Sequence, residues 1–159
     1  MATSIRPDAD LVARPLSPRL AICGVPAYPA ARGEPMRPEG LGRHDCPAYS
    51  YSPRSEWRSV QAVWRMIGPD GETSIPFAPR LQTDSAKGLR RAALAGMGIV
   101  MLPEIMVSED IASGRLARLL LGYAPSVRPM NLLYLRDCRM SPKLRSFIDF
   151  VVNRFSAPF

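Results

Sequence analysis

The segment RRAALAGMGIVMLPE, residues 90–104, decides the fold because it joins the end of a helix to a tight turn and an apolar strand. Residues at the i, i+3, i+4 and i+7 positions of one helix face lead into it: Leu89, Ala92, Ala93 and Gly96. Either Gly96 or Gly98 can take the left-handed conformation that ends a helix without a Cβ penalty. The segment therefore predicts a helix that stops at the first of two closely spaced glycines.

The residues after this turn predict a buried strand and then a second helix. The run IVML, residues 99–102, has no polar alternation, which is typical of a strand buried on both faces and indicates parallel pairing. Pro103 fits the first turn of a following helix, where its missing N–H is not needed. The pattern predicts a helix–strand–helix unit of an α/β protein.

Other elements can be placed from turn and periodicity signals. Strands are expected at 11–16, 20–25, 46–51 and 128–136, and a hairpin is expected around the PDG turn at 69–71. A short helix should start at Pro26 and end at Gly33. The last helix should be capped by Ser141 and should carry one apolar stripe. The stripe comprises Leu144, Phe147, Ile148, Val151, Val152 and Phe155.

The composition is that of an ordinary globular protein, with 159 residues, 47% hydrophobic and 22% charged. No apolar run approaches the roughly 20 residues that a membrane helix requires, and the first residues have no signal-peptide core. We therefore expect a cytoplasmic protein without membrane contact. The net charge of +7 comes from scattered basic residues, all but two of them arginine. Without aromatic–basic alternation, this charge predicts a solvated surface more than a nucleic-acid interface.

The sequence offers no set of residues that would catalyse a reaction or hold a cofactor or metal. Cys23, Cys46 and Cys138 are far apart and without C-x-x-C spacing, so we expect reduced thiols. His44, the single histidine, stands beside Asp45 and Cys46, but consecutive side chains rarely face one another as a nucleophile and its base. No nucleophile elbow, Walker loop or metal-binding motif is present. The sequence thus predicts a binding protein rather than an enzyme.

A binding site is indicated where a predicted strand meets a helix start, in QTDSA. Thr83, Asp84 and Ser85 stand at the helix N-terminus, where unpaired N–H groups and the helix dipole favour a carboxylate or another anion. The alternative is that these side chains only cap their own helix, since capping residues occur at every helix start. Both interpretations stay open on the sequence.

Four ordered motifs resemble the C-terminal effector-binding domain of LysR-type transcriptional regulators over nearly the whole chain. DADLVARPLSP (8–18) resembles the stretch that leaves the first lobe, and LAGMGIVMLPE (94–104) resembles the A-G-x-G-I-x-x-L-P core. SPKLRSFIDFV (141–151) resembles the terminal S-x-K-x-R-x-F-x-D-F helix. The segment 23–46 resembles C-A-S-P-A-Y-L-x-x-x-G-x-P-x-x-P-x-D-L-x-x-H-D-C. Its matching positions are Cys23, Pro26, Ala27, Tyr28, Gly33, Pro35, Pro38, Leu41, His44, Asp45 and Cys46.

The resemblance implies a periplasmic-binding-protein-like α/β fold of type 2, in which two lobes enclose a small effector. Residues 1–22 would be the end of an incomplete first lobe, 23–127 the second lobe of mixed sheet and helices, and 128–159 the strand and helix returning to the first lobe. The central strand would end at the cleft, near Leu102 and Pro103. Together with the QTDSA turn, Val25 and Tyr49 complete the expected effector site, and Tyr49 is equally expected as an ordinary sheet residue beside Ser50 and Tyr51.

The sequence also departs from the family. It shows no helix–turn–helix, so we do not expect this chain to bind an operator by itself. Val25 replaces the serine that caps a helix in the family and offers a hydroxyl to the cleft. Losing such a cap costs about 1 kcal/mol of stability, and losing the hydroxyl counts against an ordinary effector site. A first lobe without its opening strands would leave the stripe of the last helix without partners. Since burying each large apolar side chain is worth about 1.5–3 kcal/mol, we expect self-association, including exchange of this helix between chains.

Two functions follow as alternatives. The first is a ligand-sensing module of a LysR-like regulator, with a small-molecule effector that the helix N-terminus would suit if it were a carboxylate. The second is an interaction module that oligomerises with full-length regulators without sensing a ligand. Thr83, Asp84 and Ser85 favour the first, and Val25 and the missing half-lobe favour the second. A small enzyme or a secreted transport protein fits the sequence less well.

Overall fold

The computed structural model describes residues 11–16, 18–50, 62–126, 130–136 and 140–155. The chain forms two compact units, one of residues 1–19 with 127–159 and one of residues 20–126. The sequence placed the corresponding boundaries at 22/23 and 127/128, and the assignment of the units to the lobes of the family stays a prediction. Within the described ranges, no helix is both long and apolar enough to cross a membrane.

The larger unit contains three α-helices, one 3-10 helix and most of the described strands. In chain order these are β2 (Leu20–Gly24), α1 (Ala27–Arg32), a 3-10 helix (Pro38–Arg43), β3 (Ala48–Tyr49), β4 (Ala62–Gly68), β5 (Gly71–Phe77), β6 (Gln82–Thr83), α2 (Ala86–Leu94), β7 (Val100–Pro103), α3 (Glu104–Ala112), β8 (Ala117–Arg118) and β9 (Ala124–Pro125). The smaller unit contains β1 (Leu11–Leu16), β10 (Met130–Leu135) and α4 (Pro142–Phe155).

The helix–strand–helix unit forms as the sequence predicts. The side chain of Ser85 accepts a hydrogen bond from the N–H of Gly88 and so caps α2. The helix closes with two bonds typical of a Schellman motif, from the N–H of Gly96 to Ala93 O and from the N–H of Met97 to Ala92 O. Gly96 has a φ of 73°, which is the left-handed conformation that this closure requires.

Gly98 has a different role from Gly96. Its φ is 142°, and a Cβ atom built on it would lie 2.0 Å from the carbonyl oxygen of Asp45. That oxygen accepts a hydrogen bond from the N–H of Ile99, so the two backbone segments are held close together. The second glycine is therefore required by a close approach of two backbones, and the first by a change of direction.

The pairing of β7 corrects one expectation. β7 pairs with β2 in antiparallel register, from Leu20 opposite Pro103 to Cys23 opposite Val100, so the prediction of parallel pairing is wrong for this neighbour. β8 lies on the other side of β2, also antiparallel. The apolar run in β7 arises because both of its faces are covered, and two-sided burial does not depend on strand direction.

The two faces of β7 belong to two separate parts of the core. Val100 and Leu102 pack on the side of α2 and α3, in a cluster with Ala21, Cys23, Leu89, Ala93, Val107 and Leu116. Ile99 and the half-buried Met101 pack on the other side. That side comprises Ile22, Tyr28, Leu41, Cys46, Trp64, Met66, Ile75, Leu119 and Leu120.

The hairpin signal around PDG is confirmed by β4 and β5, which pair in antiparallel register from Ala62 opposite Phe77 to Gly68 opposite Gly71. The strands alternate, with Trp64, Met66 and Ile75 buried and the intervening side chains of β4 outward. Trp64 packs edge-to-face on Phe77, with ring centroids 4.9 Å apart. The hairpin thereby covers one face of the β2–β7 sheet.

A buried carboxylate ties α2 to α3 and to the chain that follows α3. Asp110 is fully buried and accepts hydrogen bonds from Arg90, Nε to Oδ2 at 2.6 Å and Nη2 to Oδ1 at 2.9 Å. Nη2 of Arg115 lies 2.7 Å from Oδ1. The hydrogen bond to Asp110 raises the pKa of Arg90. The buried charge is thus compensated by two guanidinium groups.

The smaller unit pairs β1 with β10 in antiparallel register and ends with α4. Ser141 caps α4 as expected, because its Oγ accepts from the N–H of Leu144 at 3.3 Å. Of the predicted apolar stripe, Ile148 is buried, whereas Phe147 is 57% exposed. Phe150, which lies outside the stripe, is 65% exposed. The helix therefore presents large apolar side chains to solvent in this chain.

Candidate functional site

The carboxyl ends of β3 and β6 meet at one edge of the larger unit. The two strands are parallel neighbours, with Tyr49 opposite Thr83, and the N–H of Ser50 donates to the carbonyl of Thr83 at 2.9 Å. From Thr83 the chain enters α2, whose nine residues return it by about 13 Å to the start of β7. β7 then runs back toward the first edge and ends there at Pro103. Ligands of open α/β sheets bind at such carboxyl ends.

The turn between β6 and α2 is held by its own hydroxyl groups. Oγ1 of Thr83 accepts from the N–H of Ser85 at 3.1 Å, and Oγ of Ser85 accepts from the N–H of Gly88 at 3.1 Å. The capping interpretation therefore applies to both hydroxyl oxygens. Within the described part of the chain, neither hydroxyl hydrogen has a protein acceptor, so both remain available to donate. Asp84 lies between them with its side chain exposed.

The remaining predicted residues differ in what they offer at this edge. Pro103 is half-buried at the end of β7, just before α3. The side chain of Leu102 lies in the core, so only its backbone is near the edge. Tyr49 is half-buried and packs against the cluster on the α2 side. Tyr51 lies outside the described residues.

The structure does not bring Val25 together with these residues. Because β2 is antiparallel to β7, Leu20 lies beside Pro103, and Val25 follows Gly24 at the far end of β2. Five residues of strand separate the two positions by roughly 16 Å. Val25 instead lines a cavity of about 640 Å³ at the amino edge, where β3, β6 and β7 begin. Its neighbours there include Tyr28, Asp45 and Met97.

The cavity contains a charge cluster that the sequence analysis missed. Nη1 of Arg32 lies 3.2 Å from Oδ2 of Asp45, and Nη1 of Arg80 lies 3.5 Å from Oδ1 of the same carboxylate. The N–H of Asp45 donates to the hydroxyl oxygen of Tyr28 at 2.8 Å. Tyr28, Arg32 and Asp45 lie in the segment 23–46, whereas Arg80 lies far from it in the sequence, and no motif links Arg80 to the other three.

His44, Asp45 and Cys46 do not form a catalytic group. The Sγ of Cys46 donates weakly to the carbonyl of Leu41 at 3.8 Å, and burial raises the pKa of this thiol to about 12. Burial lowers the pKa of His44, and the nearby Arg32 lowers it further against the opposing effect of Asp45. A neutral imidazole beside a protonated thiol is unsuited to nucleophilic attack.

Metal ligation finds equally little support. Among the residues that the structure describes, no three His, Cys, Asp or Glu side chains are grouped so that they could hold a metal ion.

Comparison with known proteins gives a consistent family. The family model of the LysR substrate binding domain matches residues 1–156. The HTH-type transcriptional regulator CrgA of Neisseria meningitidis serogroup B is 32% identical over 148 residues, which cover 92% of this chain and 47% of that protein. An HTH-type transcriptional regulator of Xanthomonas campestris pv. campestris is 28% identical over 151 residues, 94% of this chain and 43% of that protein. The chain spans about half the length of these curated relatives.

Solved structures agree with the sequence match. The CrgA regulatory domain, a LysR-type transcriptional regulator from Neisseria meningitidis, has a TM-score of 0.67 at 32% identity, and the match covers 93% of this chain and 71% of that one. Full-length AphB of Vibrio cholerae has a TM-score of 0.71 at 24% identity, covering 94% and 49%, which shows the fold alone. The CrgA match is a regulatory domain with the periplasmic-binding-protein-like type 2 fold, and AphB shares this fold over the matched part, so the predicted fold class is confirmed.

The family match also confirms that the chain is related to transcriptional regulators. The motifs quoted from the sequence, the mixed sheet with its helix–strand–helix unit and the match over residues 1–156 agree with one another. This chain belongs to the LysR substrate binding domain family and is the effector-binding domain of a LysR-type transcriptional regulator.

Proposed function

We propose that this chain senses a small carboxylate at the carboxyl edge of its larger unit, where β6 enters α2. The observation that carries the proposal is the pair of hydroxyl groups on Thr83 and Ser85. Their oxygens already accept from backbone N–H groups, so each hydroxyl hydrogen is left to donate to an acceptor that a ligand can supply. A carboxylate is an acceptor with two oxygens and therefore suits this pair.

The start of α2 adds to the preference for an anion. Of the N–H groups in its first turn, that of Gly88 is capped by Ser85, whereas those of Ala86 and Lys87 have no intrahelical acceptor. The partial positive charge at a helix N-terminus favours a negative group there, typically by about 0.3–1 kcal/mol. Asp84, also exposed at this turn, opposes the binding of an anion. We therefore expect modest affinity, with much of the binding free energy from apolar parts of the effector.

Thermal unfolding of the 159-residue chain with a panel of aliphatic and aromatic carboxylates tests this function. A ligand at one hundred times its dissociation constant adds about 2.7 kcal/mol to the free energy of unfolding. For a chain of this size, this is an increase in Tm of about 5–11 °C. If no carboxylate shifts the transition, the sensing function is refuted.

Two variants locate the site. Ser85→Asp keeps a good helix cap but replaces the hydroxyl donor by a negative charge, so it should abolish the shift caused by any carboxylate that binds at this turn. Thr83→Val removes the second donor and should weaken binding. Thr73→Val, a hydroxyl removed from the hairpin strand β5, is the matched control and should leave the shift unchanged. Equal loss in all three variants would contradict the assignment of the site.

We also propose that the protein acts in the cytoplasm and does not bind an operator through these residues. The match to the substrate binding domain takes up residues 1–156, and the basic residues do not form a motif for reading DNA. Titrating a labelled promoter fragment with the chain should give only weak association that disappears at 200 mM salt, as expected for unspecific binding by net charge. Sequence-selective binding that persists at that salt concentration would contradict this.

The exposed apolar side chains of α4 favour the second function, an interaction module that oligomerises. Phe147 and Phe150 are both more than half exposed, and Leu133 and Leu135 of β10 in the same unit are also exposed. We propose that a second chain covers this apolar surface.

Sedimentation equilibrium distinguishes this function from sensing. The chain should have a mass that is a multiple of 17.5 kDa, and Phe147→Ser with Phe150→Ser should reduce it to the monomer mass. Leu121→Ser removes an even more exposed apolar side chain from the larger unit and serves as the control. If the chain keeps the monomer mass as its concentration is raised, the oligomer is refuted. An increase in Tm with a carboxylate in the same sample would still support sensing.

A further inference from the structure

The cavity at the amino edge of the larger unit has an unusual charge balance. One carboxylate, Asp45, stands between two guanidinium groups, those of Arg32 and Arg80. Each guanidinium carries five N–H donors and makes one contact to Asp45, at 3.2 Å for Arg32 and 3.5 Å for Arg80. The cluster therefore has one positive charge in excess and several donors without a protein acceptor in the described part of the chain.

Tyr28 contacts both Arg32 and Asp45 and so holds these two residues of the cluster in place. Its buried ring lies 5.7 Å from Cζ of Arg32, within the range of a cation–π contact. Its hydroxyl oxygen accepts from the N–H of Asp45 at 2.8 Å, which leaves the hydroxyl hydrogen available to donate. Two guanidiniums and a phenol thus present donors to one cavity, which is the arrangement that recognises an anion.

The rest of the cavity wall is apolar. It includes the side chains of Val25, Ala31, Leu81 and Met97. The volume of about 640 Å³ is within the 300–1,000 Å³ that is usual for sites of small organic ligands. An inorganic anion would satisfy the donors but would leave these apolar walls in contact with water.

We propose that this cavity binds a small organic carboxylate with an apolar body, held by Arg32 and Arg80 in place of part of their contact with Asp45. The site lies at the opposite edge of the sheet from the β6–α2 turn and uses none of its residues. Asp45 acts as a competing acceptor that keeps the two guanidiniums in position when the cavity is empty of ligand. Binding is therefore an exchange of one carboxylate for another at a preformed cation pair.

Isothermal titration of the full chain with benzoate, compared with benzamide and inorganic phosphate, tests the proposal. The titrations use the Ser85→Asp variant, so that the β6–α2 turn does not contribute. Benzoate should bind with saturation, whereas benzamide, which lacks the charge, and phosphate, which lacks the apolar body, should bind at least tenfold more weakly. Arg32→Gln with Arg80→Gln should weaken benzoate binding at least tenfold.

Asp45→Asn provides the decisive variant because it predicts the opposite sign. Removing the competing carboxylate should tighten benzoate binding at least threefold, with the amide keeping the shape of the side chain. Arg65→Gln removes an exposed charge from β4, outside the cavity, and should change affinity less than twofold. The proposal is overturned if benzoate does not bind, if Asp45→Asn weakens binding, or if Arg65→Gln weakens it as much as the cavity variants.

These titrations use a chain in which the β6–α2 turn cannot bind a carboxylate. An absence of benzoate binding therefore counts against the amino-edge site and leaves the proposed sensing at the turn untouched. Benzoate binding that survives Ser85→Asp and is lost in the arginine variants supports the amino-edge site alone. A carboxylate shift that is lost in Ser85→Asp supports the carboxyl-edge site alone.

Discussion

Replacing Asp110 by alanine should strongly lower the free energy of unfolding of the larger unit, because Asp110 is a buried charged residue of that unit. The carboxylate is fully buried and joins α2 to α3 through Arg90, and α3 to the following loop through Arg115. Its three contacts of 2.6–2.9 Å are all charge-assisted. Asp110→Ala removes all three and leaves two guanidiniums directed at an empty space.

The magnitude follows from the burial of the partners. Breaking a buried ion pair costs about 3–5 kcal/mol when the remaining charge cannot reach water. The side chains of Arg90 and Arg115 are 32% and 56% exposed, so water replaces part of what they lose. We therefore expect a loss near the lower limit, about 3 kcal/mol, which for this length lowers Tm by about 6–12 °C.

Urea unfolding followed by circular dichroism, with Glu109→Ala as the control, measures this loss. Glu109 is the exposed neighbour on the same helix, and its replacement also removes a carboxylate, with a smaller gain in helix propensity and without loss of a buried contact. Glu109→Ala should change the free energy of unfolding by less than about 0.5 kcal/mol. A loss below about 1 kcal/mol in Asp110→Ala would refute the reasoning, because the buried carboxylate would then contribute no more than a surface pair.

Three further predictions concern single sites. Gly98→Ala should lower the free energy of unfolding by about 3 kcal/mol or more, because a Cβ there would lie 2.0 Å from a backbone oxygen. Gly122→Ala, which has open space around the new Cβ, should lower it by less than about 1 kcal/mol. Urea unfolding of the two variants measures the difference. The pKa of His44 in the folded chain lies below its ordinary value of 6.5, so the unfolded chain binds this proton first. The free energy of unfolding should therefore fall as the pH drops through 6.5. A pH series in which His44→Asn shows the same fall would contradict this. Burial raises the pKa of Cys23 to about 11 and that of Cys46 to about 12, so iodoacetamide at about pH 8 should label them only in the unfolded chain, as peptide mapping would show.

Much of the fold could be predicted because its signals are local. The helix–strand–helix unit depends on a cap at Ser85, a left-handed Gly96 and an apolar run, all within twenty residues of one another. The hairpin depends on a two-residue turn between alternating strands, and α4 depends on the serine before Pro142. In each case the chain contains the physical reason for the element in the element itself or beside it.

The direction of β7 relative to β2 could not be predicted in the same way. A strand without alternation of apolar and polar residues indicates that both of its faces are covered. Here α2 and α3 cover one face of β7 and the hairpin covers the other. Parallel and antiparallel neighbours leave the same apolar run, because backbone hydrogen bonds of either type place no constraint on side-chain polarity. The placement of Val25 failed to follow from the sequence for a related reason, since only the strand direction determines at which edge it lies.

The carboxyl-edge turn and the amino-edge cavity show why one candidate site was visible in the sequence and the other was not. Thr83 and Ser85 are two residues apart, and their polarity stands out because a helix start needs them. Arg32, Asp45 and Arg80 come together only because α1, the segment before β3 and the segment before β6 all reach the same edge of the sheet. Because arginines are scattered along this chain, the sequence gives no sign that two of them share one carboxylate. Only the folded structure shows that they do. For this reason the expected tightening in Asp45→Asn is the sharper test of how the chain uses its positive charge, since a merely solvated pair would gain no affinity for an organic anion when its counter-charge is removed.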